Sequence, residues 1–392
     1  MVVASPFPAN HGTPGSIREM CEAMAALGHE VHVVTYHFGE AQAPRGVTVH
    51  RAPGLGLRGK VVVGPTWQKP LWDFLMIFTL ARVVWRERID VIHAHNYEGA
   101  LVGFCGRLLT GRPLVYGAVN TMIDELGSYG FIRPRWLADG LARTLDWLVP
   151  RLPGAIIALS SELEGFLRAR GIRPERIHVI PLGVDTRAFD GADGAAIRRR
   201  LGLEDRPIVL YTGILDRLQR VDYLLRAMSE VVKSVPEAAL VLVVNIPDEA
   251  NAEACRSLAE ELGIADRTSI VVAGSFSEVP AYLAAADVTV VPRPHCPGFP
   301  VKLLNSLAAG RPVVLFEGSA KGLRNGEAAV VVADHDWRAL GAGIVAVLRD
   351  PALADRLSRN ARKWAEEHHA WPVLADRTVA VYAGLGRGPA TA

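Results

Sequence analysis

Short apolar runs alternate with longer amphipathic stretches along the whole chain. The short runs, bounded by glycine, proline or polar residues, read as buried strands, and the stretches between them as helices packed on a sheet. Strands are expected at 1–5, 30–36, 90–95, 113–117, 154–159 and 177–181, and again at 208–213, 239–245, 269–273, 288–291 and 312–314. Helices are expected at 16–27, 131–151, from about 221, at 279–286 and at 300–309. Strand and helix alternate in both halves, which predicts an α/β protein of two doubly wound, Rossmann-like domains facing a central cleft, with ligands beyond the carboxyl ends of the strands. The charged, glycine-bearing segment 186–206 reads as a linker, giving domains 1–185 and 186–365 and a closing helical region 366–392.

Composition sharpens this picture in three ways. A length of 392 residues suits two domains of about 200 residues better than one core. A formal net charge of +2 gives no footprint for nucleic acid. Four cysteines, Cys21, Cys105, Cys255 and Cys296, lie far apart without metal or redox spacing, which fits a reducing compartment. No apolar run reaches the ~18 residues of a spanning helix, so the expected location is cytoplasmic, with the inner face of a membrane kept open. The first strand is cut short at Met1, which leaves open a start upstream.

Candidate chemistry clusters where strands end. The run 297–314 reads as a loop, a helix begun by Pro300 and stopped by Gly310, and a buried strand. Lys302 falls in that helix's first turn, where the helix dipole disfavours a cation unless an anion is bound there. Gly298 and Phe299, with the amides following Pro300 at Val301 and Lys302, form a candidate phosphate site. A solvated surface lysine is the bland alternative. The first strand opens into a turn-rich loop with Gly12, Thr13 and Gly15, which is not GxGxxG and so argues against nicotinamide or flavin. The strand at 90–95 empties into His95, Asn96 and Glu98, and the stretch after 117 carries Asp124, Glu125 and Tyr129. His95 suits acid, base or neutral-donor work near pH 7, with a core histidine as the alternative. The acidic groups suit acceptor hydroxyls. The helix at 131–151 is basic and tryptophan-bearing, with an apolar stripe of Leu137, Leu141, Leu145 and Leu148. Peripheral membrane contact is one use for it; packing of the stripe on the sheet is the favoured reading.

Taken together, Gly28-His29-Glu30-Val31, the run 90–95, Ile180 to Asp185 with Phe189, and the run 297–314 resemble family 4 retaining glycosyltransferases of the GT-B fold, over essentially the whole chain. The resemblance implies a nucleotide-diphosphate sugar held mainly by the second domain and an acceptor mainly on the first. It also implies a closing helical region that crosses back to the first domain. Gly213 and the loop after it would meet the diphosphate. The chain departs from the family pattern at four positions. An arginine and a lysine that the family often places on the diphosphate correspond to Ile214 and Gln219, and two glutamates correspond to Pro297 and Asn305. Asn305 can still bond a ribose hydroxyl, and Lys302, Arg217 and Arg293 can return the missing charge.

The expected activity is therefore glycosyl transfer with retention, in glycan, glycolipid or polysaccharide biosynthesis. His95 and Lys302 are the candidate catalytic groups, with no metal and no cofactor beyond the sugar nucleotide. The acceptor is a glycan, a lipid-linked glycan or a small molecule. The alternatives are a non-catalytic sugar-nucleotide-binding or scaffold protein and a sugar-nucleotide epimerase.

Overall fold

The computed structural model describes residues 1–8, 12–39, 44–54, 68–129, 134–244, 246–274, 278–296 and 299–386. The chain divides into two compact units, Met1–Gly183 together with Trp371–Ala392, and Val184–Ala370. The first unit runs β1 (Val2–Val3), α1 (Gly12–Ala26), β2 (Val31–Thr35), β3 (Val47–Arg51), α2 (Lys69–Arg86), β4 (Ile92–His95), α3 (Asn96–Thr110), β5 (Leu114–Ala118), α4 (Met122–Tyr129), α5 (Arg135–Leu148), β6 (Ala155–Ala158), α6 (Ser161–Ala169) and β7 (Ile177–Val179). The second runs α7 (Gly194–Leu201), β8 (Ile208–Gly213), α8 (Val221–Ser234), β9 (Ala239–Val244), α9 (Glu249–Glu261), β10 (Thr268–Val272), α10 (Val279–Ala285), β11 (Val288–Val291), α11 (Val301–Ala308), β12 (Val313–Phe316), β13 (Val330–Val332), α12 (Trp337–Arg349) and α13 (Pro351–His369). The last helix, α14 (Trp371–Gly386), belongs to the first unit.

The first sheet has the order β3-β2-β1-β4-β5-β6-β7 and the second β10-β9-β8-β11-β12-β13, with parallel pairing throughout. Each order reverses direction once, between β1 and β4 and between β8 and β11. Such a switch point opens a crevice beyond the carboxyl ends of the strands. In unit 1, β1 pairs only through Val2 and Val3, with Val34, Thr35, Ala94 and His95 as their neighbours. A cavity lined by Met1, His32, Val34, Ile92 and Tyr382 lies at the amino ends of the strands.

Several expectations change. The segment 186–206 is no linker: Asp193 caps α7, Gly202 ends it at φ 65°, and Ile197 is buried in the core of unit 2. Helix α1 begins at Gly12 rather than at Ser16, so Gly12, Thr13 and Gly15 lie in its first turns instead of forming an open loop. Two edge strands, β3 and β13, come from runs too short or too half-exposed to carry a clear pattern.

Three of the four leucines of the α5 stripe face outward, contrary to the expected packing on the sheet, while Leu145 is half-buried against the core of unit 1. Leu137, Leu141 and Leu148 are exposed, and so are Trp136 and Trp147. The inward face is Ala138, Ala142 and Asp146. The cause is Asp146. Its carboxylate is buried, accepts from the Tyr97 hydroxyl, and accepts from the amides of Met122 (2.8 Å) and Ile123 (3.2 Å) at the start of α4. A carboxylate satisfied this way fixes which side of the helix turns in, and two alanines beside it let the helix approach closely.

Candidate active site

Helix α11 starts on Pro300, which has no side-chain atom with which to cap it, so its first amides are left for something else. Gly310 takes φ 60° just past its end, as a helix stop requires. The inward residues Leu303, Leu304, Leu307 and Ala308 are fully buried and pin the helix between β11 and β12. This fixes Lys302 at the mouth of the β8–β11 switch point.

There the Lys302 amine donates to the Tyr211 hydroxyl and to the Gln219 side-chain oxygen, each at 2.7 Å. Its nitrogen also sits 4.1 Å from the Tyr211 ring centroid. Gly213 makes room for it. A Cβ at that position would fall 2.8 Å from the lysine nitrogen, and the backbone there is at φ 140°. Burial, and then the Arg293 charge, bring the Lys302 pKa down to about 7. A half-buried amine, repelled by a neighbouring cation and held by two neutral oxygens, has no carboxylate bonded to it among the described residues and can receive an anion. Tyr211 in turn donates to the Ile214 carbonyl at 2.6 Å, and burial keeps its phenol protonated.

The other expected donor residues distribute around this point. Gln219 is buried, its amide capped by Asp216 at 3.0 Å. Arg293 donates to the His295 carbonyl at 2.7 Å. Arg217 and Val301 are exposed, Asn305 is buried on α11, and the Phe299 ring packs 4.8 Å from that of His369. Gly298, with Pro297, lies outside the described residues.

In unit 1 the expected groups assemble only in part. His95 and His93 sit at the end of β4 with ring centroids 4.2 Å apart, and they line a cavity shared with Thr13, Gly117, Ile180 and Trp371. Gly117 on β5 is what admits them: a Cβ there would lie 2.8 Å from His95 Nδ1 and 3.0 Å from His93 Nε2. Burial, above all, holds the His95 pKa down to about 3, so near pH 7 the ring is neutral and can only give or take a hydrogen bond. His93 is lowered as well, by burial and then by His95, and shares a 2.7 Å hydrogen bond with the Tyr382 hydroxyl of α14. Sequence reasoning had not singled out Tyr211, Gly117 or Tyr382. A glycine inside the apolar run of β5 was the one available signal.

The expected acceptor residues are less free than their polarity suggested. Asn96 takes φ 62° at the first position of α3. Glu98 is tied to Lys69 of α2 at 3.2 Å, and Asp124 accepts from the Thr121 hydroxyl at 2.5 Å in a local cap of α4. The side chains of Glu125 and Tyr129 lie outside the described residues. For a metal, one trio of ligand-type side chains among the described residues comes within 4.8 Å: Glu30, His32 and Glu87. It lies at the amino ends of the strands, away from the switch points, and His32 is already bonded to Glu30 at 3.0 Å and to His50 at 2.9 Å.

Comparison with known proteins bears on the family and the fold. The family model described as Glycosyltransferase Family 4 matches residues 12–188, and that described as Glycosyl transferases group 1 matches residues 193–364. A D-inositol 3-phosphate glycosyltransferase of Thermobispora bispora is 30% identical over 387 residues, covering 93% of this chain and 88% of the relative. Among solved structures, a sucrose-phosphate synthase of Thermosynechococcus elongatus superposes with TM-score 0.80 at 22% identity, covering 98% of both chains. HepE of Anabaena, solved with UDP-glucose, superposes with TM-score 0.73 at 17% identity, again over 98% of each. Two parallel, doubly wound sheets, each with its switch point, joined in sequence and in fold to these proteins, make the chain a glycosyltransferase of the GT-B fold that belongs to family 4.

Proposed function

We propose that the chain transfers a sugar from a nucleoside-diphosphate sugar to an acceptor hydroxyl with retention at the anomeric carbon, and that Lys302 carries the charge of the leaving diphosphate. The Lys302 amine against Tyr211, Gln219 and Gly213 is the observation that carries this reading. As the bond from the anomeric carbon to the diphosphate breaks, negative charge grows on the leaving oxygens. A preorganised ammonium and the open amides at Val301 and Lys302 stabilise it there. Lys302 donates to that oxygen while keeping its hold on Gln219, and Arg293 and Arg217 supply further positive charge nearby. Asn305 bonds the ribose. On unit 1, His95 acts as a neutral hydrogen-bonding group toward sugar or acceptor, since a ring with so low a pKa moves no proton near neutrality. The reaction proceeds without a metal, in the cytoplasm and at the inner face of a membrane.

The relatives' name makes inositol 3-phosphate the first acceptor to assay, and the ligands of HepE make UDP and UDP-glucose the first nucleotides. The test is a thermal-shift screen of nucleoside diphosphates and their sugars, in which a ligand at 100 times its Kd stabilises by about 2.7 kcal/mol. A shift with one base that is lost in Lys302→Ala supports the reading. Folded protein that shifts with no nucleotide points instead to the scaffold alternative.

A further inference from the structure

Of the eighteen large hydrophobic side chains that are exposed among the described residues, twelve lie on α2, α3 and α5. All the exposed phenylalanines and tryptophans are among them: Phe74, Phe78, Trp85, Trp136 and Trp147. These three helices cover one face of the first sheet. Helix α3 shares a core with α2 through Val102, Trp72 and Met76, and shares another with α5 through Ala100 and Ala142, so it lies between them. Their outer sides therefore carry most of the exposed apolar and aromatic side chains among the described residues, well beyond the scattered single hydrophobes normal for a soluble protein.

The charges on the same helices are segregated by sign. The exposed charged residues of the three helices are all arginines, Arg82, Arg86, Arg107, Arg135 and Arg143, of which Arg86 pairs with Glu87 just past α2 at 3.2 Å and Arg107 donates to the Leu152 carbonyl at 2.8 Å. The four carboxylates of these helices are turned inward or tied. Asp73 accepts from the Tyr36 hydroxyl at 2.8 Å, Glu98 pairs with Lys69, Asp146 is fully buried, and Asp139 is half-buried. The outward turn of α5 is built in, because the Asp146 cap of α4 holds the helix with its leucines and tryptophans facing out.

We infer that the α2–α3–α5 face docks on an anionic lipid bilayer, with the aromatic and leucine side chains entering the headgroup boundary and the arginines bonding lipid phosphates. Tryptophan and arginine at an apolar face, with no exposed carboxylate, match the polarity gradient and negative potential of such a surface. Aromatic residues and arginine are enriched at protein interfaces too, which makes a second copy of the chain the competing occupant that the test below distinguishes. The inference gives a surface to the membrane location proposed above. It rests on that reading only for its biological setting, because vesicle binding needs neither nucleotide nor turnover.

The test is flotation of the full chain with vesicles of phosphatidylcholine alone and of equal parts phosphatidylcholine and phosphatidylglycerol. Five arginines near an anionic surface should raise binding to the anionic vesicles by more than about tenfold, and molar salt should remove most of that gain. Trp136→Ser with Trp147→Ser, at two exposed positions, should abolish flotation and the blue shift of tryptophan emission on vesicle addition. Arg135→Glu with Arg143→Glu should abolish the preference for anionic lipid. Both variants should keep the wild-type nucleotide-induced thermal shift, which separates failure of docking from failure of the donor site. Wild-type protein that stays in solution with anionic vesicles overturns the inference. A dimer that dissociates in the tryptophan variant without vesicle binding would assign the face to a second copy instead.

Discussion

The Lys302 amine of α11 lies 2.7 Å from the side-chain oxygen of Gln219, the position that the resemblance sets against a diphosphate-binding lysine. The nitrogen also fills the room left by Gly213. If this amine stabilises the departing diphosphate, Lys302→Ala should lower kcat by at least ~10-fold, equivalent to about 1.4 kcal/mol of transition-state stabilisation. Steady-state kinetics on folded variant protein checks it, and an unchanged kcat would remove Lys302 from the chemistry.

Nucleotide affinity should depend on pH through the same group. In the free protein Lys302 titrates at about 7, and a bound diphosphate favours its charged form. Binding above that pH must therefore take up a proton, and the association constant for UDP should fall by about tenfold per pH unit between roughly 8 and 10. The phosphates of UDP are fully ionised there, since a terminal phosphate titrates near ~6. The same series with CDP, whose base has no acidic ring N–H, controls for ionisation of uracil. Calorimetry in buffers of differing ionisation enthalpy would count the proton. Affinity that is flat across this range would mean that Lys302 is charged before the ligand arrives.

Stability should respond in a defined direction. The lysine pKa is ordinarily 10.5 and is lowered to about 7 in the fold. Between those values the unfolded chain holds a proton that the folded chain has released, so this group's contribution to stability rises with pH. Below about 7 both states are charged, and the buried ammonium opposes folding in full. Lys302→Met should thus stabilise the protein most in mild acid, with the gain shrinking toward pH 10. Urea midpoints of both proteins at about pH 6 and pH 9 give the comparison. A gap that does not change with pH would show that the lysine is better solvated than its surroundings indicate.

Much of this architecture can be read from the chain, and the misses have physical causes. The buried strands announce themselves because both faces are covered, as with Ala239–Val244 and Val288–Val291. The end of α11 at Gly310 and its lysine at the first turn follow from end chemistry alone. The meeting of Lys302 with Gln219 does not, because 83 residues separate them and only the β8–β11 neighbourhood brings them together. The direction of α5 was equally hidden. Periodicity identifies an apolar face, but which face turns inward was decided by one buried carboxylate, Asp146, bonded to another helix. The Lys69 partner of Glu98 was hidden as well, since it lies on α2 and no local pattern displays it.

Asp146 should then be among the costlier positions in unit 1. Asp146→Ala leaves the Tyr97 hydroxyl and the Met122 and Ile123 amides without their shared acceptor. A loss of about 2–4 kcal/mol is expected from hydrogen bonds to a buried charge, with Asp146→Asn recovering part of it through its remaining oxygen. Chemical denaturation of the three proteins measures it; a loss under about 0.5 kcal/mol, typical of a surface position, would mean that other contacts orient α5.

Gly117→Ala tests how closely the histidines are packed. The added methyl group would meet His95 Nδ1 at 2.8 Å and His93 Nε2 at 3.0 Å, and both rings are buried. Overpacking of this kind costs about 1–3 kcal/mol and displaces the rings. Denaturant midpoints and the histidine ring resonances report the two effects; an alanine variant as stable as wild type, with unmoved resonances, would show that the pair can yield.

The most direct test of the donor site is to return the cation to position 219. UDP affinity would be measured by calorimetry at neutral pH in wild type, in Lys302→Gln, and in the exchanged pair Lys302→Gln with Gln219→Lys. Loss of affinity by more than about tenfold in the single variant, and recovery of most of it in the exchange, is the predicted result, because what matters is one positive charge beside Tyr211 and Gly213. Equal affinity in all three proteins would contradict the account, and would place the diphosphate away from Lys302.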